Sequence, residues 1–129
     1  MNRRLVIFGF VASLLTGCGA KEPYRSGGRT GAYWMQALKQ PDVKLRRKAA
    51  LKIGPIMVTH DACRSAAIEA LRDEDAQVRL AAIRLLKVYA TSHAASVAPA
   101  LRRLEQTDPD LAVRQAAKLA IQEFDKQPG

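Results

Sequence analysis

The fold is decided by Leu71-Arg72-Asp73-Glu74-Asp75-Ala76-Gln77-Val78-Arg79-Leu80-Ala81-Ala82-Ile83-Arg84-Leu85-Leu86. Val78, Ala82 and Leu86 fall at i, i+4 and i+8, which draws one apolar stripe down a helix, and Arg79 follows the first of them. The pattern occurs twice more. Leu45-Arg46, Ala49 and Ile53 precede it, and Val113-Arg114, Ala117 and Ile121 follow it. The copies stand 33 and 35 residues apart, an interval that predicts a stack of helical repeats.

Working outward, each copy gains a leading helix. The first repeat spans about 31–54: Trp34 and Leu38 face inward, Pro41 stops the leading helix, and Gly54-Pro55 ends the second. The second spans about 59–90, with Thr59 or Asp61 as cap and Ala67, Ile68 and Leu71 on one side. The third spans about 94–125. It begins near Ser96 with Pro99 in the first turn, and Val97, Leu101 and Leu104 form its apolar side. Between the helices of each pair lie Gln40-Pro41-Asp42, Asp73-Glu74-Asp75 and Asp108-Pro109-Asp110. Acids there meet the positive end of the second helix, with Asp73 and Asp108 expected as caps and Pro109 in the first turn. Gln40 breaks the pattern.

The repeated motif Asp-x-x-Val-Arg-x-x-Ala-x-x-x-Leu resembles HEAT repeats of the short, roughly 30-residue kind found in the phycobilisome-lyase-type group. The resemblance covers residues 31–124. Neither the tryptophan signature of tetratricopeptide repeats nor the Thr-Pro-Leu-His of ankyrin repeats is present. The resemblance implies an all-α fold: a short right-handed α-solenoid of three antiparallel helix pairs, armadillo-like, with the second helices on the concave side. It also implies a structural role for Arg46, Arg79 and Arg114, which with Asp42, Asp75 and Asp110 are expected to hold neighbouring repeats together.

Composition agrees with a folded body of one domain. Of 129 residues, 48% are hydrophobic and 26% charged, while only 5% are aromatic, so the core must be built from small and aliphatic side chains. The net charge is +9, which suggests an anionic partner. Nucleic acid and a lipid surface are the two obvious classes.

The N-terminus separates them. Arg3 and Arg4 precede the apolar run Leu5 to Leu15, which is too short for a permanent transmembrane helix and has the layout of an export signal. Leu15-Thr16-Gly17-Cys18 resembles the lipobox of bacterial lipoproteins. That resemblance implies a signal peptide over 1–17, diacylglyceryl and fatty acyl (palmitate-type) modification of Cys18, and a membrane-anchored protein outside the cytoplasm, on the periplasmic side. Gly19 stands where the family's retention signal is Asp, which favours the outer membrane where one exists. Residues 18–30, with Lys21, Arg25, Arg29 and Ser26-Gly27-Gly28, read as a flexible tether, and 31–126 as the repeat domain.

No catalytic constellation is evident. His60 and His93 lack the His-Glu pairing of di-iron HEAT-repeat hydroxylases, and Cys63 has no CxxC partner and reads as a small buried residue. The expectation is therefore a non-enzyme without cofactor, metal or small-molecule ligand. Lys44, Arg47, Lys48 and Lys52 form the leading candidate for partner binding, because the repeat does not require them: Gln77, Ala81 and Leu85 replace the three lysines in the second repeat, and Ala112, Ala116 and Ala120 in the third. The function expected is a lipoprotein presenting a repeat scaffold to an unknown protein partner. Two alternatives are an accessory subunit or lyase-like member of the bilin-lyase group, and, if the lipobox is not used, a basic nucleic-acid binder. With the lipobox used, no nucleic acid is expected.

Overall fold

A computed structural model describes residues 25–127. The signal segment, Cys18 and residues 19–24 lie outside the described residues.

The described chain is an all-α solenoid of three helix pairs: α1 (Gly31–Ala37) with α2 (Val43–Lys52), α4 (Asp61–Ala70) with α5 (Ala76–Tyr89), and α6 (Ala94–Thr107) with α7 (Leu111–Asp125). The second helices α2, α5 and α7 stack in order, each against its neighbour, and carry most of the contact between repeats. The expected stripes are the core. Ala49, Ile53, Val78, Ala82, Leu86, Val113 and Ala117 are all almost completely buried, joined by Trp34, Leu71, Val97 and Leu101. Small side chains at Ala49, Ala82 and Ala117 let the second helices approach closely.

Each second helix starts on the third residue of its triplet. Asp42 accepts from the Lys44 N–H at 2.9 Å, Asp75 from Val78 at 3.0 Å and Asp110 from Val113 at 3.1 Å. Asp73 and Asp108, expected as caps, stand two residues too early. Their carboxylates accept the N–H of Asp75 and Asp110, each at 2.9 Å, and so hold the turn that precedes the helix. The cap of α4 is His60, with no side-chain cap bond, rather than Thr59 or Asp61. Helix α6 starts at Ala94 after a single 3-10 turn over Thr91–His93, which moves Pro99 to the second turn.

Two elements were not expected. After α2 ends, Gly54-Pro55 opens a further short helix, α3 (Gly54–Met57), because proline fits the first turn of a helix. It drives Ile56 and Met57 into the core. Gly54 is there for closeness: a Cβ would fall 2.5 Å from Leu85 Cδ2 and 3.0 Å from Tyr89 Cε2.

The other is a β-hairpin formed by β1 (Arg25–Ser26) and β2 (Arg29–Thr30), which corrects the expectation of a flexible tether through residue 30. Gly27 and Gly28 both take positive φ, as the tight turn of a two-residue loop demands. The hairpin is pinned to the domain, since Trp34, 2% exposed, donates from Nε1 to the Ser26 carbonyl at 2.8 Å. The folded domain thus includes Arg25–Thr30. Among the described residues no helix is long and apolar enough to cross a membrane.

Candidate functional site

The repeat arginines are built into the joints. Arg79 donates from Nη1 to the Asp73 and Glu74 carbonyls of its own turn, at 2.8 and 3.0 Å, and from Nε and Nη2 to Asp108 of the next turn, at 2.8 and 3.0 Å. Arg46 repeats this one joint earlier. Its Nη1 binds the Gln40 and Pro41 carbonyls, while Nε and Nη2 bind Asp73 at 3.0 and 3.3 Å and Nη2 also reaches Glu74 at 3.2 Å. Arg114 meets no acid of a further repeat among the described residues, and its Nη1 binds the Asp108 carbonyl at 2.6 Å.

The acids that receive these arginines are Asp73, with Glu74 beside it, and Asp108, not Asp42, Asp75 and Asp110, which cap helices. Burial alone would raise the pKa of the Asp108 carboxyl, but the Arg79 hydrogen bonds, the Asp110 N–H and the charges of Arg79 and Arg114 outweigh it and hold the group below the usual carboxylate range. Gln40 now has an explanation. It occupies the acid position of the first repeat, where among the described residues no earlier repeat arginine arrives to need one.

Arg47 is not a free cation. Its guanidinium grips Asp75 of the next repeat through Nε at 2.9 Å and Nη2 at 2.7 Å, and so ties α2 to the start of α5. This pair, with help from the Val78 and Gln77 amides, lowers the Asp75 carboxyl to about 2 against the opposing effect of burial. Lys44 and Lys48 are exposed, and Lys52 is half-buried beside the hairpin turn. None of these three lysines forms an ion pair among the described residues. The structure therefore separates Arg47, a joint residue, from the lysine stripe with which the sequence grouped it.

Along the second helices, which the resemblance placed on the concave side, runs a surface whose lining residues sequence reasoning did not single out. A groove between α2 and α5 is lined by Arg47, Leu51, Gln77, Leu80, Ala81 and Arg84, and it continues between α5 and α7 past Lys87, Gln115 and Leu119. Leu51 is 60% exposed and Leu119 56% exposed, large apolar side chains held open to solvent on a small protein. Among the described residues no carboxylate lines the groove, and Arg84 lies between the two leucines. Leu51, Arg84 and Leu119 occupy one repeat position, 33 and 35 residues apart, which is the signal that could have found the surface.

Groups suited to bond-making chemistry are scattered. His60 and His93 are exposed at the starts of α4 and α6, and their rings bond the neighbouring hydroxyls of Thr59 and Ser92. Cys63 is buried to 1% on α4, and burial raises its thiol pKa. Among the described residues no three His, Cys, Asp or Glu side chains are placed to hold a metal ion.

Helix pairs joined by an arginine–aspartate ladder, with an open face along the second helices, define an α-solenoid suited to binding other proteins. The family model for HEAT repeats matches residues 32–127, and the chain belongs to the HEAT-repeat family. No curated protein matches the sequence.

Proposed function

We propose that this protein is a lipid-anchored HEAT-repeat lipoprotein that holds a partner protein in the groove of its second helices. The observation that carries the binding role is the groove itself: two exposed leucines flank Arg84, Lys87 lies beside them, and among the described residues no acid lines the surface. That combination fits an acidic segment bearing apolar side chains, because its leucine-sized groups cover Leu51 and Leu119 while its carboxylates meet the cations. A repeat stack offers such a surface without a reactive centre, so the protein acts as an accessory or scaffold component and not as a catalyst. The anchored location is supported by the apolar run Leu5 to Leu15 followed by Leu15-Thr16-Gly17-Cys18.

Two experiments test the two parts. Selection of a displayed peptide library on the full chain is expected to yield acidic sequences with spaced apolar residues, whose binding is lost in Leu51→Glu and in Arg84→Glu. Selected peptides that bind both variants unchanged exclude the groove. Growth with a clickable fatty acid is expected to label the native chain and not Cys18→Ala, with membrane fractionation following the label. An unlabelled native chain found in the cytoplasm removes the anchor, and the basic charge then passes to nucleic acid as the next partner to examine.

A further inference from the structure

Among the described residues no second helix precedes that of the first repeat, and the flank of α2 left open there is where the lysines stand. Gln77 and Ala81 in the second repeat, and Ala112 and Ala116 in the third, line the grooves against the preceding second helix. At the equivalent positions α2 carries Lys44 and Lys48, and Lys52 continues the stripe by one turn. The stripe leads to the hairpin. Lys52 lies against the turn, its Nζ only 3.7 Å from the point where a Cβ on Gly27 would stand, and Arg25 donates from Nη1 to the Gly28 carbonyl at 3.3 Å. Arg29 lies with its guanidinium 4.9 Å from the centre of the Tyr33 ring, which is itself 39% exposed.

Five cations thus border one end of the solenoid, none of them in an ion pair among the described residues. Asp42, at the far end of the stripe, is the acid beside them, and it caps α2. Covering the end of a repeat stack with polar groups does not require this density of charge. The opposite end shows as much: apart from the groove residues Gln115 and Leu119, α7 exposes Lys118 and Gln122, with Arg114 half-buried.

We propose that this basic end, formed by Arg25, Arg29, Lys44, Lys48 and Lys52, seats the protein on anionic lipid headgroups, so that the stack stands with its groove leading away from the bilayer. The proposal rests on the anchored location argued above. Only residues 19–24 separate Cys18 from Arg25, so a lipid on Cys18 holds the hairpin within about 25 Å even if the connection is fully extended. Lys21 and Glu22 in that connection cancel, which leaves the attraction to the folded domain. Tyr33 suits the same place, since an amphipathic ring beside a cation sits well at the headgroup level.

The test is flotation of the full-length Cys18→Ser chain with phosphatidylcholine vesicles, with and without about 30% phosphatidylglycerol. The apolar run Leu5 to Leu15 is present throughout, so binding to phosphatidylcholine alone is the baseline. Preference for the anionic vesicles is expected, weakening as salt rises from ~0.1 to ~0.5 M. Combined Lys44→Gln, Lys48→Gln and Lys52→Gln should lower anionic binding by about fivefold per charge, on the order of a hundredfold in all, while Arg102→Gln with Arg103→Gln leaves it nearly unchanged. Equal binding to both vesicle types overturns the proposal, as does an equal loss in the Arg102 and Arg103 variant, which would reduce the effect to net charge. Fatty-acid labelling at Cys18 is scored separately. A labelled chain without anionic preference keeps the anchor and loses the seat, and the reverse result keeps the seat and loses the anchor.

Discussion

Arg79 and Asp108 meet across a repeat boundary in a two-point ion pair, Nε to Oδ2 at 2.8 Å and Nη2 to Oδ1 at 3.0 Å, with both residues under a tenth exposed. The third nitrogen of the same guanidinium holds the turn of its own repeat. One side chain therefore fixes the spacing of two turns, and removing it leaves a buried carboxylate and two carbonyls without their donor. Arg79→Ala is expected to cost about 3–5 kcal/mol in a denaturant titration. Arg46→Ala should cost less, because Asp73 and Glu74 have more access to water, and Arg114→Ala should cost under about 1 kcal/mol, because it pairs with no acid among the described residues. Equal losses at the three positions would refute the ladder as the basis of the joints.

The Arg47–Asp75 pair makes a prediction about pH. Asp75 is held at about 2 in the folded protein, below its ordinary value of 3.8, so its contribution is complete above about pH 4 and is lost as the pH falls towards 2. Arg47 is nearly half exposed, which limits the pair to about 1 kcal/mol. Asp75→Asn should remove about that much at neutral pH while keeping the helix cap, and should flatten the stability profile between pH 4 and 2. Asp75→Ala, which loses the cap as well, should cost about 2 kcal/mol.

Gly31 sits against Cys63. A Cβ at position 31 would lie 2.8 Å from the Cys63 Sγ and 3.1 Å from Ile56 Cγ2, and all three residues are buried. Gly31→Ala is expected to destabilise by about 1–3 kcal/mol through overpacking. Combining it with Cys63→Ala should recover part of that loss, since the sulfur is the nearest obstacle. Thermal unfolding of the two single variants and the double variant reads this as a coupling. Strict additivity would show that the two positions do not press on one another.

The hairpin should depend on Trp34. Its indole is buried and its N–H holds the Ser26 carbonyl, so Trp34→Phe keeps most of the packing and removes the hydrogen bond. We expect a global cost of about 1 kcal/mol, with faster amide exchange confined to the hairpin. Unchanged exchange there would mean that other contacts secure residues 25–30.

The sequence by itself determined the repeats. Local periodicity places Val78, Ala82 and Leu86 on one stripe, and the 33- and 35-residue intervals repeat it, so three stacked helix pairs are legible in the sequence. It also showed Arg46, Arg79 and Arg114 at one repeat position, to which the resemblance to HEAT repeats gave a joint role. What it could not reveal was who meets whom. Asp73 and Asp108 read as helix caps because they precede helices, and Arg47 read as a surface cation because its own helix is rich in lysine. Only the stacking brings Asp73 to Arg46, Asp108 to Arg79 and Asp75 to Arg47, pairs 27 to 29 residues apart in the chain. The same holds for the hairpin, whose two short strands carry almost no periodic signal and depend on a bond to Trp34, and for the groove, which exists only between helices. Periodicity records what each residue does within its own helix, whereas these features arise between elements and were decided by the tertiary structure.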